Sequence, residues 1–303
     1  MPQLTVRQQG PTNQGAHKRQ RSGPSLVPDL LHSKKAVISV GMLVAVVTVA
    51  ALAPVLSPFD PAKVQTGPYF APPSRAHPLG ADNLGRDVFS RIIWGSRVSL
   101  TAGLLVSAGA LLLGVPLGLI AGYFGRVADS VIMRCMDVLF AFPPVVMALF
   151  LASILGLGIR TVLIALVIVY TPSVARVTRS AALGVRAQAY IEAARSLGQR
   201  DSWIVLRHTL PNSLAPVIVQ ATLIMSYAIL QEAAISYLGL GTQSPEFSWG
   251  LMLSDAADYM WMTPHLALWP GLAIMLVVFT FNFLGDGLRD IMDPRQRGVL
   301  RGE

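Results

Sequence analysis

Apolar positions in this chain neither alternate nor keep to one helical face. They run together in windows without a charged residue, at 36–56, 98–125, 138–159, 161–175, 210–231 and 259–285. Most of these windows exceed the ~18 to 20 apolar residues an α-helix needs to cross hydrocarbon. The pattern predicts an all-α polytopic membrane protein with six crossings, the fourth short and ending at Tyr170-Thr171-Pro172. Arg160 and Arg176 bracket that crossing and have to snorkel to the interfaces. Residues 1–35 read as a disordered basic head, 36–56 as an N-terminal crossing, 57–97 as an extracytoplasmic segment, 98–288 as a core of five crossings and 289–303 as a tail. Prolines at 58, 61, 68, 72, 73 and 78 keep the outer segment extended to about Leu84. Beyond it, Val88, Phe89, Ile92, Ile93 and Trp94 share one helical face, with Asp87, Ser90, Arg91 and Arg97 elsewhere. That pattern predicts a short helix lying in the membrane interface ahead of the second crossing.

Composition strengthens the membrane reading, because only 13% of the 303 residues are charged, against roughly 25% in soluble domains. Six crossings leave no room for an independent catalytic domain of ~100 residues. The net charge of +8 is a matter of topology, not of nucleic acid: with the N-terminus in the cytoplasm, 18 of the 24 Lys and Arg fall on that side. Both termini are then cytoplasmic, and 239–265 carries no basic residue outside. Ala51-Leu52-Ala53 resembles a signal cleavage site, but the long polar head and Pro54 predict a retained span. In the second crossing Gly114, Gly118 and Gly122 stand at i, i+4 and i+8, a spacing that lets helices approach closely in lipid. Cys135 permits no internal disulfide and reads as a small apolar packing residue, and Asp137 is expected to pair with Arg134 one turn before it.

Chemistry of its own is hard to find. A P-loop needs Gly-Lys-Ser/Thr, yet the only lysines are Lys18, Lys34, Lys35 and Lys63, and none follows glycine. There is no His-Glu-x-x-His pair and no zinc-site spacing, and His208 and His265 sit at the edges of crossings, where a membrane serine hydrolase would need a histidine within the bilayer. Solute movement powered from elsewhere is the leading idea. Two regions bear on it. In the long cytoplasmic loop, 176–212, Tyr190, Ile191, Ala194 and Leu197 share a face of a short helix, with Gln188, Glu192 and Arg195 around the other side. Gly198 ends that helix. Trp203, Leu206 and Leu210 then repeat at helical spacing until Pro211-Asn212 opens the fifth crossing. Such a helix-turn-helix either docks on a cytoplasmic partner or rests on lipid. In the fifth crossing, Thr222, Ser226, Glu232 and Ser236 fall within an arc of about 120° at 100° per residue. An acid in a membrane helix faces a cavity or a partner. The stripe therefore lines a solute pathway or is tied to a neighbouring helix, and a proton-coupled secondary transporter using Glu232 is the rival reading. A membrane scaffold without transport is a third. The last outer loop holds Glu246, Asp255 and Asp258, with Trp249, Tyr259 and Trp261 placed to sit at the interface.

The loop residues Glu192-Ala193-Ala194, Gly198 and Leu210-Pro211 resemble the "EAA" loop of ABC importer permeases, with His208 where the family usually has isoleucine. The likeness extends to the dipeptide, oligopeptide and nickel permeases of the second-subunit (DppC/OppC) type. It rests on His77-Pro78-Leu79-Gly80-x-Asp82-x-x-Gly85-Arg86-Asp87, Arg207-His208-x-Leu210-Pro211-Asn212, Ser236-Tyr237-Leu238-Gly239-Leu240-Gly241, Ser248-Trp249-Gly250, Leu284-Gly285-Asp286 and Asp293-Pro294-Arg295. The resemblance runs from about Ser33 to Arg297 and implies a type I ABC importer permease core in the last five helices plus one added N-terminal helix. It further implies a place in a bacterial inner membrane, and a coupling helix of Tyr190, Glu192, Ala193, Ala194, Leu197 and Gly198, with Pro211 beyond it, that docks on an ATPase. The implied partners are a second, distinct permease, two ATP-binding subunits carrying ATP and Mg, an extracytoplasmic solute-binding protein facing the last outer loop, and membrane lipid. No cofactor belongs to this chain. Dipeptides or short oligopeptides are the implied cargo, with nickel and glutathione as alternatives.

Overall fold

The computed structural model of the chain describes residues 34–292. The expected basic head and most of the tail, with the Asp293-Pro294-Arg295 motif, lie outside the described residues. Within them the regular elements are helices, apart from one bridge between Ala81 and Asp87. The first apolar window forms α1 (Lys34–Ala51) and, after Leu52, the four-residue α2 (Ala53–Leu56) opened by Pro54. Helix α1 approaches the last described helix closely: a Cβ built on Gly287 would lie 3.0 Å from the Ala36 Cβ.

Helix α3 (Val88–Phe124) is one unbroken element of 37 residues, about 55 Å long. This corrects the expectation of a separate interfacial helix. Asp87 caps the helix, accepting from the Ser90 backbone N–H and hydroxyl at 2.7 Å each. Nothing then interrupts it before Phe124. Its first turns are amphipathic for another reason: Val88, Ser90, Arg91, Ile93 and Gly95 are buried against outer loops of the same chain and not laid on lipid. Trp249 fastens them by donating from Nε1 to the Ile92 carbonyl at 3.0 Å.

The third window is not a single helix. Helices α4 (Arg126–Phe140) and α5 (Pro144–Leu155) meet at 87°. Pro143-Pro144 lies inside the window, and tandem prolines remove two backbone donors where the helix would continue. The fourth crossing, expected to be short, is the 28-residue α6 (Ile159–Arg186), which runs on through Pro172. Its extension carries arginines to the acids of α4. Arg179 makes a two-pronged pair with Asp129, and Arg176 Nη2 meets Asp137 at 2.8 Å. Asp137 therefore pairs across helices and not with Arg134. Cys135, on the same helix, is exposed and is not a packing residue.

The short α7 (Ala189–Ser196) follows, then α8 (Asp201–Ile204), a π-helical turn (Val205–Thr209) and α9 (Leu210–Tyr237). The last three form one 37-residue span, Asp201–Tyr237. Pro211 thus stands inside a helix already running and does not open it, and the π turn just before it absorbs the carbonyl clash that proline brings. A short outer helix, α10 (Trp249–Ala257), precedes α11 (His265–Met292).

Four helices, Val88–Phe124, Ile159–Arg186, Asp201–Tyr237 and His265–Met292, are long and apolar enough to cross a membrane, with a fifth crossing if α4 and α5 count as one. The apolar part of α1 described, Ala36–Ala51, is shorter than these, so six crossings are not reached by helix length alone. The glycine series seats α3 on α6: a Cβ on Gly118 would fall 2.5 Å from the Ala175 carbonyl, and Gly114 and Gly122 face Thr171 and Arg179 in the same way. Two apolar clusters complete the core. One joins Val106 and Ala110 to Leu166, Ile224 and Ala228, and the other joins Ile229 and Ala233 to Trp249, Met252, Val277 and Phe281.

Candidate functional site

The loop expected over 176–212 is much shorter than that, because α6 reaches Arg186 and the next long helix begins at Asp201. What projects is α7 and its turn. The turn is closed by two backbone bonds, Gly198 N–H to the Arg195 carbonyl at 2.9 Å and Gln199 N–H to the Ala194 carbonyl at 3.2 Å. This is the Schellman pattern, and Gly198 sits at its left-handed position with φ +76°. The apolar residues of the loop divide in two. Ile191 and Ala194 turn inward onto Tyr123, Val185 and Ile204. Tyr190, Leu197, Trp203 and Leu206 are exposed, Leu197 to 83%. One face was expected to carry Tyr190, Ile191, Ala194 and Leu197 together; helix α7 instead spends half of that set on its own chain. Glu192 and Ala193 lie on the exposed side, with Pro211 exposed on the long helix beyond.

Under this loop lies a group that the sequence did not single out. Tyr123, in the last turn of α3 and 1% exposed, donates its hydroxyl to Asp201 Oδ1 at 2.5 Å. Arg195 of α7 donates from Nε to the same phenol oxygen at 3.4 Å, with its guanidinium 4.8 Å from the ring centre. No periodicity could have joined a crossing to residues more than seventy positions away.

Thr222, Ser226, Glu232 and Ser236 do fall on one stripe of α9, and all four are buried within the chain. Thr222 packs at Gly285 of α11 and bonds its own helix, and Ser226 donates to the Val278 carbonyl at 3.2 Å. Glu232 is fully buried; its Oε1 accepts from Ser236 Oγ at 2.8 Å and Thr242 Oγ1 at 3.3 Å, while the Thr242 N–H donates to Ser236 Oγ at 3.1 Å. The acid therefore holds the loop after α9 down onto the helix. A pathway role for this stripe finds no support in its exposure. The open face of α9 carries Leu214, Ile218, Tyr227 and Leu230 instead.

At the outer end a second set of charges is enclosed. Asp82 Oδ2 accepts from Arg86 Nε and Arg91 Nη1 at 2.6 Å each, and Asp255 Oδ2 accepts from Arg86 Nη2 at 3.1 Å and Arg91 Nη2 at 3.3 Å. Arg91 is only 2% exposed. His77 Nδ1 lies 2.9 Å from the capping Asp87. The network ties the first outer segment to α10, so the last outer loop, which has no base of its own, takes two from the first. Glu246 and Asp258 are left exposed, as is Trp261, which is fully exposed. No group of three or more His, Cys, Asp or Glu among the described residues is arranged to hold a metal ion.

A family model described as the binding-protein-dependent transport system inner membrane component matches residues 114–298, and one described as the N-terminal TM domain of oligopeptide transport permease C matches residues 29–78. The dipeptide transport system permease protein DppC of Alkalihalophilus pseudofirmus is 42% identical over 268 residues, 88% of this chain and 88% of that one. The glutathione transport system permease protein GsiD of Pectobacterium atrosepticum is 46% identical over 223 residues, 74% of each. Among solved structures, an inward-facing form of the MetNI methionine ABC transporter aligns with a TM-score of 0.56 at 18% identity, covering 68% of this chain and 98% of that chain. The last likeness is one of fold.

Proposed function

This chain belongs to the family of binding-protein-dependent transport system inner membrane components and is a permease subunit of ABC importer type; from that premise we propose that it forms half of a pathway for dipeptides or short oligopeptides. One observation carries the mechanical part. Helix α7, its turn and the start of the next helix leave Tyr190, Leu197, Trp203 and Leu206 exposed, and that turn continues directly into a membrane-length helix. A cluster of large apolar side chains left open on a polar surface calls for a partner. An ATPase subunit seated there pushes on α7, and closing of two such subunits on ATP and Mg opens the pathway outward. ATP binds those subunits and not this chain. A second, distinct permease supplies the other half of the pathway, and a solute-binding protein delivers cargo to the outer loops around Glu246 and Asp258. Both termini face the cytoplasm of the inner membrane.

The peptide assignment draws on the dipeptide permease, which resembles this chain along nearly nine-tenths of its length. Glutathione, itself a small peptide, is the second reading because the relative named for it is 46% identical. The deciding experiment reconstitutes the chain with its partner permease, ATPases and binding protein in vesicles, and measures ATP-dependent uptake of labelled dipeptides, glutathione and nickel. Dipeptide uptake that needs ATP is expected. Uptake driven by a proton gradient without ATPases, and abolished by Glu232→Gln, would establish the secondary-transporter alternative instead. Orientation is tested by cysteines at Gln188 and Ser244 in a Cys135→Ala background, which impermeant thiol reagents should reach from opposite sides of the cell, Ser244 from outside.

A further inference from the structure

We infer that Tyr123 is the positioning residue through which the cytoplasmic loop acts on the membrane helix α3, by way of a three-residue node with Asp201 and Arg195. The inference rests on the coupling role proposed for α7 and goes beyond it, since no residue of α3 belongs to the loop.

Three elements converge on one phenol oxygen. Tyr123 closes α3, Asp201 opens the continuous helix that becomes α9, and Arg195 ends α7. The hydroxyl has a single proton, which goes to Asp201 at 2.5 Å, and its lone pairs remain for the Arg195 Nε–H at 3.4 Å. Charge orders the arrangement: an anion and a cation sit on opposite sides of a neutral bridge, and the cation also lies over the ring. The oxygen is therefore donor to one arm of the loop and acceptor from the other, so neither arm shifts without the phenol losing a partner. The ring itself is packed with Val185, Ile191, Ala194 and Ile204, which fixes where the hydroxyl can be. Asp201 and Arg195 are both exposed, so water replaces the phenol for each of them when the node breaks. Losing it then costs position more than stability.

Coupling runs through packed or hydrogen-bonded elements that take discrete arrangements. Helix α3 is seated on α6 by its glycine series, and α9 carries Glu232 and the outer loop. A displacement of α7 that moves Asp201 and Tyr123 together drives both helices at once. Without the hydroxyl, α7 rocks against an apolar ring and drives neither with fidelity.

The test uses the complete reconstituted importer and reads ATP hydrolysed per labelled dipeptide taken up, together with the stimulation of hydrolysis by the binding protein. Tyr123→Phe keeps the ring and its packing and removes only the oxygen. Asp201→Ala, at an exposed position, removes the acceptor from the other end of the same bond and cannot disturb the core. The expected result is a rise in ATP per peptide of about threefold to tenfold in either variant, the range that one hydrogen bond carries in an equilibrium, with ATPase subunits still attached. The double variant should be no worse than the worse single one, because both cut the same link. Wild-type stoichiometry in both single variants, or additive losses in the double, would overturn the inference. Failure of the unmodified chain to retain ATPase subunits would instead sink the coupling role of α7, and the two failures are distinguished in the same preparation.

Discussion

The two ends of this molecule are held in opposite ways. At the outer end two arginines and two aspartates are enclosed between loops of the same chain, and Glu232 is buried beneath the loop that it fastens. The inner end has two ion pairs between α4 and α6, a small apolar cluster, one phenol bridge and several large side chains left in the open. The enclosed charges of the outer end are taken up by its own fold, although Glu246, Asp258 and Trp261 stay open at that end. An end that leaves Leu197, Trp203 and Leu206 exposed is finished by something else. The contrast predicts that substitutions outside act on folding and substitutions inside act on coupling.

The largest effect expected is that of Arg91→Ala, which breaks the buried Arg91–Asp82 pair and leaves Asp82 and Asp255 to Arg86 alone. Breaking a buried pair in this manner costs about 3–5 kcal/mol, so little folded protein should be recovered from membranes, and its thermal midpoint in detergent should fall sharply. Recovery and midpoint like those of the unmodified chain would break the comparison at its outer end. Gly118→Val comes next. Its Cβ meets the Ala175 carbonyl at 2.5 Å, and backbone cannot move aside as a side chain can; overpacking of about 1–3 kcal/mol follows, read as a lower midpoint. Glu232→Leu leaves Ser236 and Thr242 without an acceptor, a loss of roughly 1–3 kcal/mol, whereas Glu232→Gln keeps an oxygen in place. The Gln variant should transport and the Leu variant should not.

Gly198→Val sharpens the inner side. At φ +76° a β-branched residue costs about 1–2 kcal/mol, yet nothing lies within 4 Å of its Cβ, so the crossings insert normally while binding-protein-stimulated hydrolysis is lost. The smallest effect on stability belongs to Leu197→Ser with Trp203→Ser, surface changes that fall within about 0.5 kcal/mol each. They should nonetheless release the ATPase subunits, scored by co-purification. Retention of those subunits with normal uptake would mean that the exposed apolar set rests on lipid.

Charge-free windows made the long helices legible, and the spacing of Gly114, Gly118 and Gly122 foretold close packing without naming α6 as its partner. Gly198 was legible as a helix end because a positive φ selects so strongly for glycine. What hydropathy hides is a break or an extension. Pro143-Pro144 sits in an apolar window whose average barely registers it, and α6 continues for ten residues past Arg176 because its arginines find acids on α4. The amphipathic stretch after Asp87 misled for a related reason: burial against a protein loop and burial in a bilayer surface leave the same pattern, and only the position of Asp255 in space separates them. Glu232 was legible as costly. Its partners were not, since Thr242 belongs to a loop with no periodicity to read.

The span from Asp201 to Tyr237 is unbroken across 37 residues, about 55 Å from end to end. Such a rod converts angle into distance. A tilt of about 5° about its inner end sweeps its outer end through roughly 5 Å, comparable to the spacing of one helical turn, and the loop pinned by Glu232 travels with it. The π turn at Val205–Thr209 lies near the fulcrum, where a wide, weakly bonded turn yields most readily. Stiffness over most of its length, with compliance at one end, turns a small rotation at that end into a larger displacement at the other.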